Sequence, residues 1–433
     1  MGWKRSTLTA LAAGLLLVGP LAAPVGAQGK AAVLAPAKPE ALGFSAERLA
    51  KMDTAMKALV DRGAVPGVVT YVARHGRTAH YSIYGKADLA TGAPLREDTI
   101  FRMYSQTKPV TGVAMMILYE EGLWKLDDPV TRHVPEFKNL KVFKGLDAKG
   151  QMILEPVARD ATMRELMAHT AGFAYGLVTD NPVDKAYRES GLLGAKSLQG
   201  MVEETARLPL AQQPGEGWRY SIAVDIQGHI VEKLSGQSLP DFMQSRIFGP
   251  LGMKDTAFWI PEAKRARNAT LYALDREKGI MPAEGDWLLD IDRPPTAANG
   301  GGGLVSTVAD YARFAQMLLN GGQLDGARIL SPSTIRLMAS NHVTEAQLAK
   351  RPLGPGVGFG LDFAVIMDPV LAGTSAGKGS FSWGGAAGTW FWVDPENDLF
   401  VMGMIQVLGG GQAYRLDELS RQFVYAALVD PSK

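Results

Sequence analysis

Ser105 and Lys108 are a pair whose types and spacing can make a nucleophile. They stand in FRMYSQTKPVTGVAMMILYEEG, a serine three residues ahead of a lysine at the start of an apolar run with helical spacing. Positions i and i+3 of a helix share a face, so the hydroxyl and the amine can lie side by side. A serine hydroxyl attacks poorly until a neighbour takes its proton. A lysine desolvated in a closed site can lose its charge and act as that neighbour. Backbone N–H groups at the helix start can also hold a developing oxyanion. Alone, the tetrapeptide says little, because Ser-x-x-Lys is common on exposed helices.

Two further segments offer partners. In Gly217-Trp218-Arg219-Tyr220-Ser221, Tyr220 sits where a loop meets the amphipathic helix expected over Ala223 to Leu234. A phenol near cationic groups can lose its proton more readily and serve as a general base. As a lone tyrosine it would simply be a packed aromatic. The stretch Ser382-Trp383-Gly384-Gly385-Ala386-Ala387-Gly388-Thr389 carries too many glycines for a good interior strand. It reads as an edge strand approached closely by a ligand, or as a bulge. A competing serine lies in Gly373-Thr374-Ser375-Ala376-Gly377, which fits the G-x-S-x-G elbow. No helix follows it, and the last histidine, His342, precedes it, so the order Ser, acid, His cannot form. The six histidines (75, 80, 133, 169, 229 and 342) show no metal-ligand spacing. His169 is expected to brace a loop beside the site. No cofactor and no metal are expected.

The elements that must position these residues follow from pattern. Ser45 caps an apolar-periodic helix that runs to Arg62, and a hairpin over residues 67–73 and 79–84 follows. A helix headed by Ser105 runs to Glu121 and stops at Gly122. Residues 122–295 read mostly as helix and loop. Gly300-Gly301-Gly302-Gly303 leads into a capped helix from Ser306-Thr307 to Leu319. Strand candidates are residues 358–366, Thr389 to Val393 and Leu399 to Val407, before a last helix over residues 413–428. The strands sit at both ends of the chain and the helices in the middle. The architecture expected is therefore α+β: one antiparallel sheet built from the N- and C-terminal segments, flanked by helices, with an inserted all-helical lobe at roughly 122–295.

Composition narrows the class. There is no cysteine among 433 residues, which removes disulfides, thiol catalysis and Cys-ligated zinc. The net charge is +1 with signs mixed, and no basic stripe points to nucleic acid. Lys4 and Arg5, the apolar core Leu8 to Val18 and the small residues Val25-Gly26-Ala27 read as a signal peptide over 1–27. That apolar run is too short for a membrane span, which needs about 20 residues. An exported protein, periplasmic or secreted, is expected. Residues 28–41 read as a flexible lead-in and 42–430 as the functional domain. Oligomeric state is left open.

Taken together, the three segments resemble the serine β-lactamase and penicillin-binding-protein superfamily. Within it the chain most resembles family VIII carboxylesterases, which are class C β-lactamase-like. Ser105 and Lys108 match the first motif. Tyr220-Ser221-Ile222 matches the Tyr-x-Asn motif, and Trp383-Gly384-Gly385 occupies the place of Lys-Thr-Gly. Asp98 to Arg102, His169 to Gly172 and Ser306 to Gly322 support the match. The resemblance implies an α/β sandwich with a helical lobe. It makes Ser105 the acylated nucleophile, Lys108 and Tyr220 the proton carriers, and the N–H groups of Ser105 and Ala386 the oxyanion hole. Trp383, Gly384, Gly385 and Ile222 would contact the substrate. Ile222 replaces an amide, and Trp383 replaces a cation that helps bind a carboxylate. This favours a small neutral ester over an anionic β-lactam. β-Lactamase, D-amino-acid peptidase and acyltransferase remain the alternatives on the same site.

Overall fold

The computed structural model describes residues 1–2, 34–275, 277–285, 288–349 and 353–433, and the account below concerns the compact unit Ala31–Lys433. The signal peptide expected over 1–27 lies outside the described residues, apart from Met1 and Gly2. Helix α1 spans Ala46–Asp61, and Ser45 caps it by accepting the Arg48 N–H. Strands β1 (Gly67–Arg74) and β2 (Arg77–Gly85) form the expected hairpin. Five more strands come from the C-terminal third: β3 (Val357–Phe359), β4 (Ala364–Ile366), β5 (Phe381–Gly385), β6 (Thr389–Asp394) and β7 (Leu399–Met404). All seven pair antiparallel in the order β3-β4-β5-β6-β7-β1-β2.

Every residue of β1, β6 and β7 is buried, because both faces of the sheet are covered. Side chains still alternate between two cores. Val68, Val72, Trp390, Trp392 and Val401 pack with α1 and the C-terminal helix on one side. Tyr71, Phe391, Phe400 and Met402 join the larger core on the other. Helix α2 (Lys108–Glu120) runs through that larger core, buried at every position from Lys108 to Leu118. Helix α3 (Ala223–Ser235) packs against α2, and α4 (Val308–Leu319) packs on β6 and β7. Helix α5 (Leu416–Ala427) covers the opposite face with α1.

Two details differ from expectation. The inserted lobe also carries two hairpins, Lys141–Leu146 with Met152–Pro156 and Tyr272–Asp275 with Gly279–Pro282. The described part of the lead-in is held in place. The Ala37 N–H donates to Thr78 O (2.9 Å), and the Thr78 N–H donates to Ala35 O (3.0 Å), so residues 34–37 run along β2. Pro and Ala read as loose chain in sequence, yet Pro is well suited to a sheet edge, where it need not donate. Among the described residues no helix is long and apolar enough to cross a membrane.

Candidate active site

The chain enters the site through Tyr104, whose φ of 45° is left-handed. That conformation costs a non-glycine residue on the order of 1–3 kcal/mol. Long-range contacts hold it. The Met103 N–H donates to Leu304 O (2.9 Å), and the Tyr311 hydroxyl donates to Gln106 O (2.9 Å). The Leu304 N–H donates to Thr107 Oγ1 (3.1 Å). Residues Tyr104–Thr107 form a single 3-10 turn, and α2 begins at Lys108. In a 3-10 turn residues i and i+3 eclipse. Lys108 therefore stands directly over Ser105, with Nζ 3.4 Å from Oγ.

Lys108 is only 1% exposed. Its ammonium donates to Gly301 O (2.6 Å) and to the Tyr175 hydroxyl (3.3 Å). It also lies over the rings of Tyr175 and Tyr220, 4.9 and 4.7 Å from their centroids. From the other side the Tyr220 hydroxyl donates to Ser105 Oγ at 2.7 Å. Two proton-carrying groups thus converge on one serine oxygen, and the serine itself stays accessible from the cleft.

The glycine run explains how Gly301 reaches the lysine. A Cβ on Gly301 would lie 2.5 Å from Asp225 Oδ2, and one on Gly300 would lie 2.8 Å from Val224 O. The loop is pressed onto the first turn of α3, where the Gly301 N–H donates to Asp225 Oδ1 (3.0 Å). Asp225 is fully buried. Burial raises its carboxyl above the usual range, while the Lys108 charge and the Gly301 N–H pull it back. Enclosure and the Asp225 charge push the Tyr175 phenol well above its ordinary value.

His169 backs Tyr220, their ring centroids 5.0 Å apart, and its Nδ1 is bonded to Ser221 Oγ (3.0 Å). Burial, together with the charge on Lys108, holds its pKa well below 6.5, so it is a neutral imidazole. This is the bracing place expected of it.

Strand β5 supplies the opposite wall. Phe381 and Ser382 pair with both neighbours, but Trp383, Gly384 and Gly385 pair only with β6. That half of the strand is a free edge facing the cleft. A Cβ on Gly385 would lie 2.2 Å from Met103 O, so the strand end rests on the residue before Tyr104. Ala386, next in the chain, is exposed and lines the cleft. Trp383 packs against Tyr220 and Phe359, with centroids 5.5 and 5.4 Å away. The cleft, which also continues around the β5 edge toward Arg415 and Arg421, encloses about 1680 Å³.

The structure thus gathers Ser105, Lys108, Tyr220, Trp383, Gly384, Gly385 and Ala386 around one cleft. It does not bring Ile222 there. Ile222 is 0% exposed, and its N–H donates to Ala174 O (3.1 Å) at the start of α3. Its side chain belongs to the main core, because the turn after Tyr220 points inward as the helix begins. The expectation that it contacts substrate is corrected accordingly. Ser375 is exposed on the far rim, in a loop that leads into β5 and not into a helix. Sequence reasoning missed Tyr175, Asp225 and the Gly301 carbonyl.

A profile of the Beta-lactamase family matches residues 52–425. The chain belongs to that family. Its members include serine hydrolases and acyltransferases, and the sheet and helices described above are those of its solved structures. An uncharacterized protein of Mycobacterium tuberculosis is 37% identical over 364 residues, covering 81% of this chain and 88% of the relative. Esterase EstB of Burkholderia gladioli is 31% identical over 411 residues, 90% of this chain and 98% of EstB. Among solved structures, EstCE1, described as a hydrolase with promiscuous acyltransferase activity, superposes with a TM-score of 0.74 at 28% identity. That match covers 88% of this chain and 99% of EstCE1.

Proposed function

We propose that the protein is a serine carboxylesterase that cleaves small, neutral carboxylic esters through an acyl-enzyme on Ser105. The observation that carries this reading is the convergence of Tyr220 OH and Lys108 Nζ on Ser105 Oγ. In the first half-reaction Oγ attacks the ester carbonyl carbon, and its proton passes to the Tyr220–Lys108 pair. The carbonyl oxygen becomes an oxyanion, held by the N–H groups of Ser105 and Ala386. Collapse breaks the bond to the alkoxy oxygen, which leaves as the alcohol with that proton. In the second half-reaction water gives up a proton to the same pair and attacks the acyl carbon; the bond from that carbon to Ser105 Oγ then breaks, the pair returns the proton to Oγ, and the acid leaves.

The preference for neutral esters rests on Trp383, an indole at the β5 edge where β-lactamases place a lysine. Replacing a cation loses a charge-assisted hydrogen bond to a substrate carboxylate, worth about 1.5–3 kcal/mol. With Ile222 buried in the core, this preference rests on Trp383 alone. EstB, named an esterase, supports the same bond class. A second outcome, transfer of the acyl group to an alcohol instead of water, is favoured by the roomy cleft and by the activity stated for EstCE1.

The test is turnover of p-nitrophenyl acetate and butyrate against benzylpenicillin. A kcat/KM for benzylpenicillin equal to or above that for the esters defeats the esterase reading. A fluorophosphonate adduct on a peptide holding Ser375, and not Ser105, defeats the nucleophile assignment. Export is part of the proposal, and N-terminal sequencing of the mature protein beginning near Gln28 would support it.

A further inference from the structure

The proposed reaction limits where the alcohol half of the ester can lie. The proton taken from Ser105 Oγ has to reach the alkoxy oxygen as that bond breaks, and a proton donor must stand about 2.6–3.2 Å from the atom it serves. Lys108 is buried, whereas Tyr220 lines the cleft with its hydroxyl 2.7 Å from Oγ. Tyr220 is therefore the member of the pair that the leaving oxygen can meet. The carbon skeleton of the alcohol extends from there over whatever packs around Tyr220.

What packs there is aromatic. The Trp218 ring lies nearly parallel to that of Tyr220, 17° between planes and 6.2 Å between centroids, and Trp383 flanks the same ring at 5.5 Å. Both indoles rest on Phe359 of β3, each 5.4 Å away, and Phe359 is 1% exposed. Val357 of β3 and Ala364 of β4 line the cleft from the same pair of strands. The Nε1 atoms of Trp218 and Trp383 are buried. Nε1 is the one polar atom of an indole, so what the two rings show to the cleft is carbon. The charged side chains that line the cleft come from other segments, residues 290–293 and 415–421.

The wall is also preformed. The Trp218 N–H donates to Gln347 O (3.0 Å), and the Arg219 N–H donates to His169 O (2.9 Å), so the backbone is held from two sides. The His169 ring stands edge-on to Trp218 at 5.9 Å. A fixed aromatic face loses little freedom when a flat apolar group covers it.

We propose that this wall is the subsite for the alcohol half of the ester, and that Trp218 selects esters of apolar, ring-bearing alcohols. The inference deepens the esterase reading and rests on it. Trp218 has no part in moving protons. It acts by covering the alcohol while Tyr220 hands over the proton, so its effect falls on the choice between alcohols.

The deciding measurement is kcat/KM for benzyl butyrate against methyl butyrate. The two esters form the same acyl-enzyme, and their alcohols are of nearly equal acidity, so the ratio reports the alcohol subsite. Wild type should favour the benzyl ester by on the order of tenfold or more. Trp218→Leu keeps apolar bulk without the flat face and should lose most of that preference; Trp218→Phe, which keeps a ring, should lose less of it. Methyl phenylacetate against methyl butyrate places the ring on the acyl side, and Trp218→Leu should leave that ratio at its wild-type value. A shift there as large as the shift between alcohols overturns the assignment. If the variants fail to fold, the wild-type ratio still decides: equal turnover of benzyl and methyl butyrate overturns the inference while the esterase reading stands. A protein that hydrolyses neither ester and is not labelled by a fluorophosphonate at Ser105 overturns both.

Discussion

Replacing Gly301 by alanine should disable Lys108 without touching it. Gly301 has no left-handed φ, so the backbone accepts alanine, and the effect comes from contact alone. The new Cβ would lie 2.5 Å from Asp225 Oδ2 and 3.0 Å from Oδ1. Carbon and oxygen prefer about 3.5 Å, so the loop must recede by about 1 Å. Asp225 cannot yield, because it is fully buried in the first turn of α3. The Gly301 carbonyl then leaves the Lys108 ammonium, to which it is bonded at 2.6 Å. A hydrogen bond to a charged group is worth about 1.5–3 kcal/mol. At 1.36 kcal/mol per decade, that is on the order of a ten- to hundredfold fall in kcat/KM. The assay is steady-state hydrolysis of p-nitrophenyl acetate, with circular dichroism to show that the fold is intact. A Gly301→Ala enzyme within twofold of wild type would refute the claim that this carbonyl positions the lysine.

Tyr220→Phe removes the hydroxyl that meets Ser105 Oγ at 2.7 Å, and kcat should fall by about two to four orders of magnitude; a near-normal kcat for any ester removes the tyrosine from the mechanism. Trp383→Lys restores a cation to the β5 edge, so the ratio of benzylpenicillin to p-nitrophenyl butyrate turnover should rise about tenfold or more, for a contact of about 1.5–3 kcal/mol. Burial raises Asp310 to about 6, so the native protein holds this proton in a pH range where the unfolded chain has lost it. Stability therefore falls as pH rises from about 4 to 6, by about 3 kcal/mol for this group. Urea melts of Asp310→Asn across that range should show a correspondingly flatter fall than wild type, and an identical slope would contradict the assignment.

The residues legible in the sequence were those with local signatures. Ser105 and Lys108 announce themselves by spacing within one turn, and Tyr220 by its place before a helix. The sheet was legible from β-rich segments at both chain ends, although double burial erased the usual alternation in β1, β6 and β7. Asp225 was hidden by an ordinary reading, since an acid in the first turn of a helix needs no explanation beyond the helix dipole. The signal that could have found it is the glycine run at 300–303, whose missing side chains mean that something presses on the loop. Tyr175 has no local signature. It reaches Lys108 only because α3 and the preceding segment fold onto α2. Ile222 shows the opposite error. A motif position was read as a site position, while the turn of the backbone sends that side chain into the core.

The pairing of β1 with β7 has a consequence for the order of events during synthesis. Val69 lies opposite Met404 and Arg74 opposite Leu399, partners roughly 330 residues apart in the chain, a separation typical of slowly closing topologies. Of this sheet, a nascent chain holds only the β1-β2 hairpin until the C-terminal third is made, and a lone hairpin is marginal in water. Ser105 and Lys108 emerge early, but β5, which rests on Met103 and walls the cleft, emerges near the end. Ser105, the nucleophile of the proposed reaction, is therefore made long before the strand that completes its cleft. On the proposed reading, the growing polypeptide lacks the Ala386 N–H of the oxyanion hole until β5 and the residue after it have been made.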